Sequence, residues 1–303
     1  MIEASRPIFI PPSWQAGYIR QAIEVAAKEQ GLSFHFVVER ATDALINNAA
    51  SQVTLYQQLD YDALTPGAAN WLVVLPPGSE DCVRLFQTLH PDLGRPWAAT
   101  HGSEGLAAAL WLVEHGAQIV TEKTLEAIRA GLKIEPPPPE NTTAAAELAP
   151  YAGFGVPLGQ SWRLNDSLVA NSHNFVADAD GWHDLTGRAR HLLVGPHIFL
   201  PSGAWRIEIE FDVDVEQGRP RFLFEWGGAA LERTKFSTII KKSGRYQVAL
   251  ESRFSRPDAA HCLVATDAAQ LQSKFRLSSC VLTRLEGSSS GEEPRQALPD
   301  IWA

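Results

Sequence analysis

Cysteine is scarce in this 303-residue chain: Cys82, Cys262 and Cys280 stand far apart, with no two at the spacing of a metal or redox pair. So few thiols, odd in number, exclude a disulfide framework and fit a reducing, cytoplasmic setting. They read best as buried free thiols, with Cys262 and Cys280 able to lie near each other. Positive charge is also short, with 26 Lys and Arg against 35 Asp and Glu and a net charge of −9. That balance argues against general nucleic-acid binding, which needs a positive field, though it permits a local basic patch. No run approaches the ~18 apolar residues of a membrane span. The opening residues, MIEASRPIFIPPSW, lack a basic stretch followed by an apolar core, so no secretory leader is expected. Equally missing are G-x-G-x-x-G, a Walker loop, G-x-S-x-G, H-E-x-x-H and C-x-x-C. No cofactor and no metal is therefore expected, and catalysis has no motif behind it. Groups assembled from distant positions stay open.

What the chain does have falls into two halves, and its length suffices for two cores. In the first half apolar stretches alternate with helical periodicity. Pro7 to Pro11 is a short strand, and Ser13 caps a helix from Trp14 to Gln30 that buries Ile19, Ile23, Ala26 and Ala27 and stops at Gly31. Extended segments follow at 32–39, 53–59 and 71–75, the last (WLVVL) apolar throughout as in a strand buried on both faces. Helices are expected over 41–50, 80–89, 106–115 and 122–130, with short strands at 96–100 and 119–120. Alternation of this kind implies βαβ units, so residues 1–131 read as a small, doubly wound, mainly parallel α/β domain.

Ligands on such sheets lie beyond the carboxyl ends of the strands. There the sequence places Ser13, Trp14, Glu39, Arg40, Gly78, Ser79 and the stretch His101, Gly102, Ser103, Glu104 and Gly105. With a strand before it and a helix after it, His101 to Gly105 is either an anion-receiving turn at a helix start or a tight turn capped by Ser103. THGSEGLAAALWLVEHGAQIV resembles the donor-side motif of one Rossmann-like domain of the GT-B glycosyltransferases. That resemblance implies contact between the turn and the phosphates of a sugar nucleotide. A GT-B enzyme has two such domains, and this chain offers one small one.

Residues 132–152 carry Pro136 to Pro139 and a polar, alanine-rich remainder, the composition of a semi-rigid linker. From 153 to 286 the helical period vanishes and short strand candidates recur. The clearest is 204–215, where Trp205, Ile207, Ile209, Phe211 and Val213 alternate with Arg206, Glu208, Glu210, Asp212 and Asp214. Similar sets are Phe222, Phe224 and Trp226; Tyr246, Val248 and Leu250; and Phe275, Leu277, Ser279 and Val281. This predicts an antiparallel β-sandwich of jelly-roll type, so the chain as a whole is α/β plus all-β. Residues 287–303 are Ser-, Gly- and Glu-rich and expected to be disordered.

Gly181-Trp182, GPHIFLPSGAWRIEIEFDV and KFRLSSCVLTRL together resemble the carbohydrate-binding β-sandwich modules of surface-polysaccharide proteins. The resemblance implies a central hairpin opened by GPHIFLPSG and a glycan-binding role by analogy. Independently, DADGWHDLTGRARH sets Trp182 among His183, Asp184, Arg188 and Arg190, with Asp178 and Asp180 nearby. An aromatic among carboxylates and guanidinia suits a polar ligand such as a sugar; alternatively Trp182 plugs one end of the sandwich. The three aspartates lack the spacing of a calcium loop. Arg233, Lys235, Lys241, Lys242 and Arg245 form a basic cluster in sequence, read as a solvated face rather than an anion site. The leading expectation is a non-catalytic accessory protein of bacterial surface-glycan assembly that binds a glycan. The alternatives are a glycosyltransferase-like enzyme using a sugar nucleotide at His101 to Gly105, and a scaffold that contacts protein partners.

Overall fold

The computed structural model describes residues 6–13, 15–37, 52–59, 71–75, 79–120, 146–151, 159–164, 168–170 and 177–285. The chain forms two compact units, Met1–Gly155 and Val156–Ala303.

In the first unit five parallel strands, β1 (Ile8–Phe9), β2 (Ser33–Val37), β3 (Gln52–Tyr56), β4 (Leu72–Val74) and β5 (Gln118–Val120), line up in the order β2-β3-β1-β4-β5. Period-two alternation sends Ile8, Ile10, Val53, Leu55 and Val74 to one face, against Ile19, Ile23 and Ala26 of helix α1 (Ala16–Glu29). Phe9, Tyr56 and Val73 go to the other, against Ala108, Ala109, Trp111 and Leu112 of helix α3 (Gly94–Glu114). Helix α2 (Ser79–Leu89) packs on α3. Helices on both faces of a parallel sheet make this a doubly wound domain, as the alternating periodicity implies.

Two local expectations are corrected. Ser13 does not cap α1, which starts at Ala16; instead the Asp81 carboxylate of α2 accepts the Gln15 N–H at 3.1 Å. Burial nonetheless pushes the Asp81 carboxyl up, against the lowering effect of that bond. The stop is as expected: Gly31, at φ 70°, ends α1 with its N–H on the Lys28 carbonyl.

The larger correction concerns 96–105. There is no strand at 96–100 and no turn at 101–105, because α3 runs unbroken from Gly94 to Glu114. Pro96 falls in its first turn, where a missing N–H costs nothing. Gly102 and Gly105 serve packing: a Cβ on Gly102 would lie 3.1 Å from the Cys82 Cβ, and one on Gly105 would lie 2.7 Å from Pro12 Cδ. Ser103, fully buried, donates its hydroxyl to the Thr100 carbonyl at 2.6 Å inside the helix.

The expected helices over 41–50 and 122–130, and Pro136 to Pro139, lie outside the described residues. The last part of the expected linker is not a spacer. Residues 146–151 form a 3₁₀ helix whose buried Leu148 and Tyr151 belong to the first unit, and it packs on α3.

The second unit is a jelly-roll sandwich. One sheet holds β13 (Gly244–Phe254), β10 (Gly203–Val215), β15 (Ser273–Arg284) and β6 (Ser161–Arg163) in that order, with β8 (His183–Asp184) also on β15. The other runs β12 (Arg233–Ile239), β11 (Arg221–Gly228), β14 (Asp258–Thr266), β9 (Arg190–Leu200), β7 (Val169–Ala170). The apolar phase of β10 is fully inside, and Phe211 meets Phe222, Phe224, Tyr246 and Phe275 at ring-centroid distances of 5.5–5.9 Å. Trp205 and Trp226 are buried as expected, with indole N–H groups donating to the Pro201 and Trp205 carbonyls.

Here too the structure corrects details. GPHIFLPSG opens no hairpin: β9 lies in one sheet and β10 in the other, so Pro201-Ser202 turns a corner between layers. In β15 the inward phase slips where register shifts opposite Glu210 and Phe211, so beyond Ser278 the buried residues are Cys280 and Leu282 rather than Ser279 and Val281. All three thiols are free and buried; burial pushes Cys280 up to about 12, and Cys82 and Cys262 also rise. Cys280 further raises its neighbour Cys262.

The glycine contacts fix a stability order. Gly105→Ala should cost about 1–3 kcal/mol, as overpacking does. Gly102→Ala should cost less, and Gly17→Ala, whose added methyl meets nothing within 4 Å, should cost nothing. Urea unfolding of the full chain reads the order.

Candidate functional site

The outer face of the β10 sheet carries the wet phase of that strand. Register sets its partners: Asp212 pairs with Arg245 of β13 on one side and Arg276 of β15 on the other. Strand β8 pairs Lys274 with Asp184 and Phe275 with His183, which brings Trp182, one residue earlier, beside Arg276. A transverse row results: Arg245, Asp212, Arg276, Trp182. Next to it Asp214, Lys274 and Asp184 form a second row.

The row is held by direct bonds. Asp212 Oδ1 accepts from Arg245 Nε at 3.0 Å; Oδ2 accepts from Arg276 Nη2 at 2.8 Å, Arg276 Nε at 3.2 Å and the Ser278 hydroxyl at 2.9 Å. The guanidinium of Arg276 lies over the Trp182 ring, 4.6 Å from its centroid, a cation–π contact. Burial alone would raise the Asp212 carboxyl, but the bonds from Arg245, Arg276 and Ser278 outweigh it and hold it at about 2.

A tight turn presents the indole. Asp178 Oδ1 accepts the N–H groups of Asp180 and Trp182 at 3.0 and 2.9 Å, and the Asp178 N–H donates to the Trp182 carbonyl at 2.8 Å. Gly181, at φ 80°, supplies the left-handed residue this closure needs.

Of the sequence-derived set, Trp182 and Asp184 share this face. His183, paired with the inward Phe275, belongs to the opposite one. Arg190 braces the turn, donating to the carbonyls of Asp184 and Thr186, and Arg188 lies in the exposed turn between. Hydrogen bonds from Thr186 hold the Asp184 carboxyl below its usual range. The α/β-domain set of His101, Gly102, Ser103, Glu104 and Gly105 forms no anion-receiving turn, because mid-helix N–H groups are spent on the helix. His101 instead packs against Trp97, with ring centroids 4.2 Å apart and planes tilted by 55°. Trp14, Glu39, Arg40 and Gly78 lie outside the described residues.

Sequence reasoning missed Arg245, Arg276 and Ser278, and placed Asp212 only on a wet phase. Their convergence depends on which strands are neighbours, which periodicity does not reveal. The basic cluster also splits: Arg245 joins Asp212, while Arg233 and Lys235 pair with Glu225 on the other sheet.

Chemically, the row offers fixed hydrogen-bond donors and acceptors beside an aromatic surface. Because Arg276 covers one side of the indole, a ligand stacking on that side has to displace it. Among the described residues no cluster of His, Cys, Asp and Glu is arranged to hold a metal, and no helix is long and apolar enough to cross a membrane.

No protein-family model matches the sequence. No curated protein matches it. Solved structures similar to it include the xylan-binding module CBM15, at 10% identity, covering 43% of this chain and 99% of that one, with a TM-score of 0.30. The C-terminal CBM6 of LamC, a laminarinase from Zobellia galactanivorans, aligns at 13% identity over 41% of this chain and all of its own length, with a TM-score of 0.27. Eiger TNF from S. frugiperda aligns at 15% over 36% of this chain and 70% of its own, with a TM-score of 0.23.

The Asp212 carboxyl titrates below its unfolded value of ~3.9, so its stabilisation is complete above about pH 4 and is lost as pH falls through about 2. Asp212→Asn should therefore lower stability by about 2 kcal/mol at pH 7 and by little near pH 2. Urea unfolding at the two pH values checks this.

Proposed function

We propose that this protein binds a glycan on the outer face of the β10 sheet, with Trp182 as the aromatic surface and the Arg245–Asp212–Arg276 row reading hydroxyl groups. The observation that carries the reading is the register itself, which lines an indole up with three interlocked charged groups. Sugars present flat C–H-rich faces and fans of hydroxyls, and an aromatic beside fixed polar groups complements both. The guanidinium over Trp182 pre-orders the ring and covers an apolar surface when no sugar is bound.

In this reading the role is non-catalytic, and the Asp212 carboxylate, held at about 2 by Arg245, Arg276 and Ser278, serves as a fixed hydrogen-bond acceptor. We place the protein in the cytoplasm as an accessory factor of surface-glycan assembly; its three reduced, buried thiols support a reducing compartment.

A glycan array followed by calorimetry on the full chain tests the reading. Trp182→Ala should weaken the best glycan at least tenfold, and Arg276→Ala should weaken it through lost hydroxyl contacts. A Trp182→Ala protein that binds as tightly as the wild type, or an array with no glycan bound, overturns it.

A further inference from the structure

The outer face of the second sheet gathers a different set of groups. Glu225 of β11, with a side chain only 9% exposed, is paired to Lys235 Nζ at 2.9 Å and to Arg233 Nη1 at 3.4 Å, both from β12. The next strand, β14, brings His261 to the same face, since Gly227 pairs with both Arg233 and His261. Beyond it β9 contributes His197, whose ring centroid is 5.8 Å from that of His261, and His191.

His197 is placed by an irregularity. Phe199 pairs with Ala259 and Pro196 with His261, so His197 and Ile198 oppose the single Ala260 in a β-bulge. His197 takes φ 57°, a left-handed conformation costly for a residue with a Cβ. Bulges of this kind re-aim a side chain; this one turns the His197 imidazole toward a second. The groups facing His261 are then His191 and His197 from β9, Glu225 from β11 and Arg233 from β12. Two fixed cations, three imidazoles and one carboxylate share a patch on a chain whose net charge is −9.

We infer that this patch is a second binding site, distinct from the Trp182 row, for the anionic oxygens of an acidic polymer, carboxylate or sulfate, and that it engages them on acidification. With Glu225 offsetting one of the two fixed cations, the patch is weakly positive while its histidines are neutral. Burial, together with Arg233 and the neighbouring imidazoles, lowers His261, and burial lowers His197, so both are neutral at pH 7. Each proton taken up below the usual histidine range adds a donor and a positive charge aimed at the same spot. Binding of an anion stabilises those charged forms, so ligand and protons bind together.

The test uses the full chain with polygalacturonate, dextran sulfate and neutral dextran at pH 5.5 and 7.5, read by calorimetry. Either polyanion should bind at least tenfold tighter at pH 5.5, and which one does names the source of the oxygens. NMR should show two histidines titrating at higher pH with that polymer present. His197→Asn, which tolerates the left-handed backbone, combined with His261→Gln should abolish the pH increment. Equal affinity for both polyanions at the two pH values, or histidine midpoints unmoved by the polymer, overturns the inference. The midpoints are measured on the wild type, so they decide even where the double variant fails to fold. Neutral-glycan binding read on the same samples reports on the Trp182 row separately.

Discussion

The second unit depends on the strict two-residue alternation of β10, flanked by a strand on both sides. Its five inward residues supply the middle of an aromatic core, and the same geometry fixes what the outward residues meet. Asp212 cannot avoid lying between Arg245 and Arg276, because the register that buries Phe211 and Val213 sets those two directly opposite it on the flanking strands. Core packing and charge pairing are therefore one constraint. A slip of one residue would expose Trp205 to Val213 and bury four carboxylates.

How far sequence alone carries depends on how local the determinant is. Alternation in β10, the Gly31 stop of α1 and burial of Ile19, Ile23, Ala26 and Ala27 are local, and all are legible. The α3 region misleads because its glycines look like turn chemistry, whereas they are small for the sake of Cys82 and Pro12, residues of distant segments. Pro96 strengthens that false signal, since proline is as much at home in a helix's first turn as in a strand end. The bulge at Ser278 is similarly silent: an extra residue in one strand is defined only against its neighbour.

The candidate site shows the same division. Trp182 stands out in sequence as an aromatic among charges, and the Asp178 turn that presents it is local too. Arg276, ninety-four residues on, comes to it only through the β8–β15 pairing. Conversely His183, Arg188 and Arg190 are close to Trp182 in sequence, yet alternation and the turn send them elsewhere. In a sheet protein the neighbours that matter lie across the strands.

The two faces of the sandwich carry charge in opposite ways. On the β10 face the carboxylate is saturated: two guanidinia and a hydroxyl hold it at about 2, so ordinary changes of pH leave the row untouched. On the β14 face Glu225 is likewise held below its usual range, its burial outweighed by Lys235 and Arg233. There, however, His197 and His261 are depressed rather than stabilised as cations. Positive charge on that face is thus a stored capacity, kept off at neutral pH by burial and mutual repulsion and released by protons or by an anion. One sandwich can then offer a constant polar surface on one side and a conditional cationic one on the other. The jelly-roll topology permits this because each sheet's outer face is built from different strands, leaving the two sets of charges free to follow different rules.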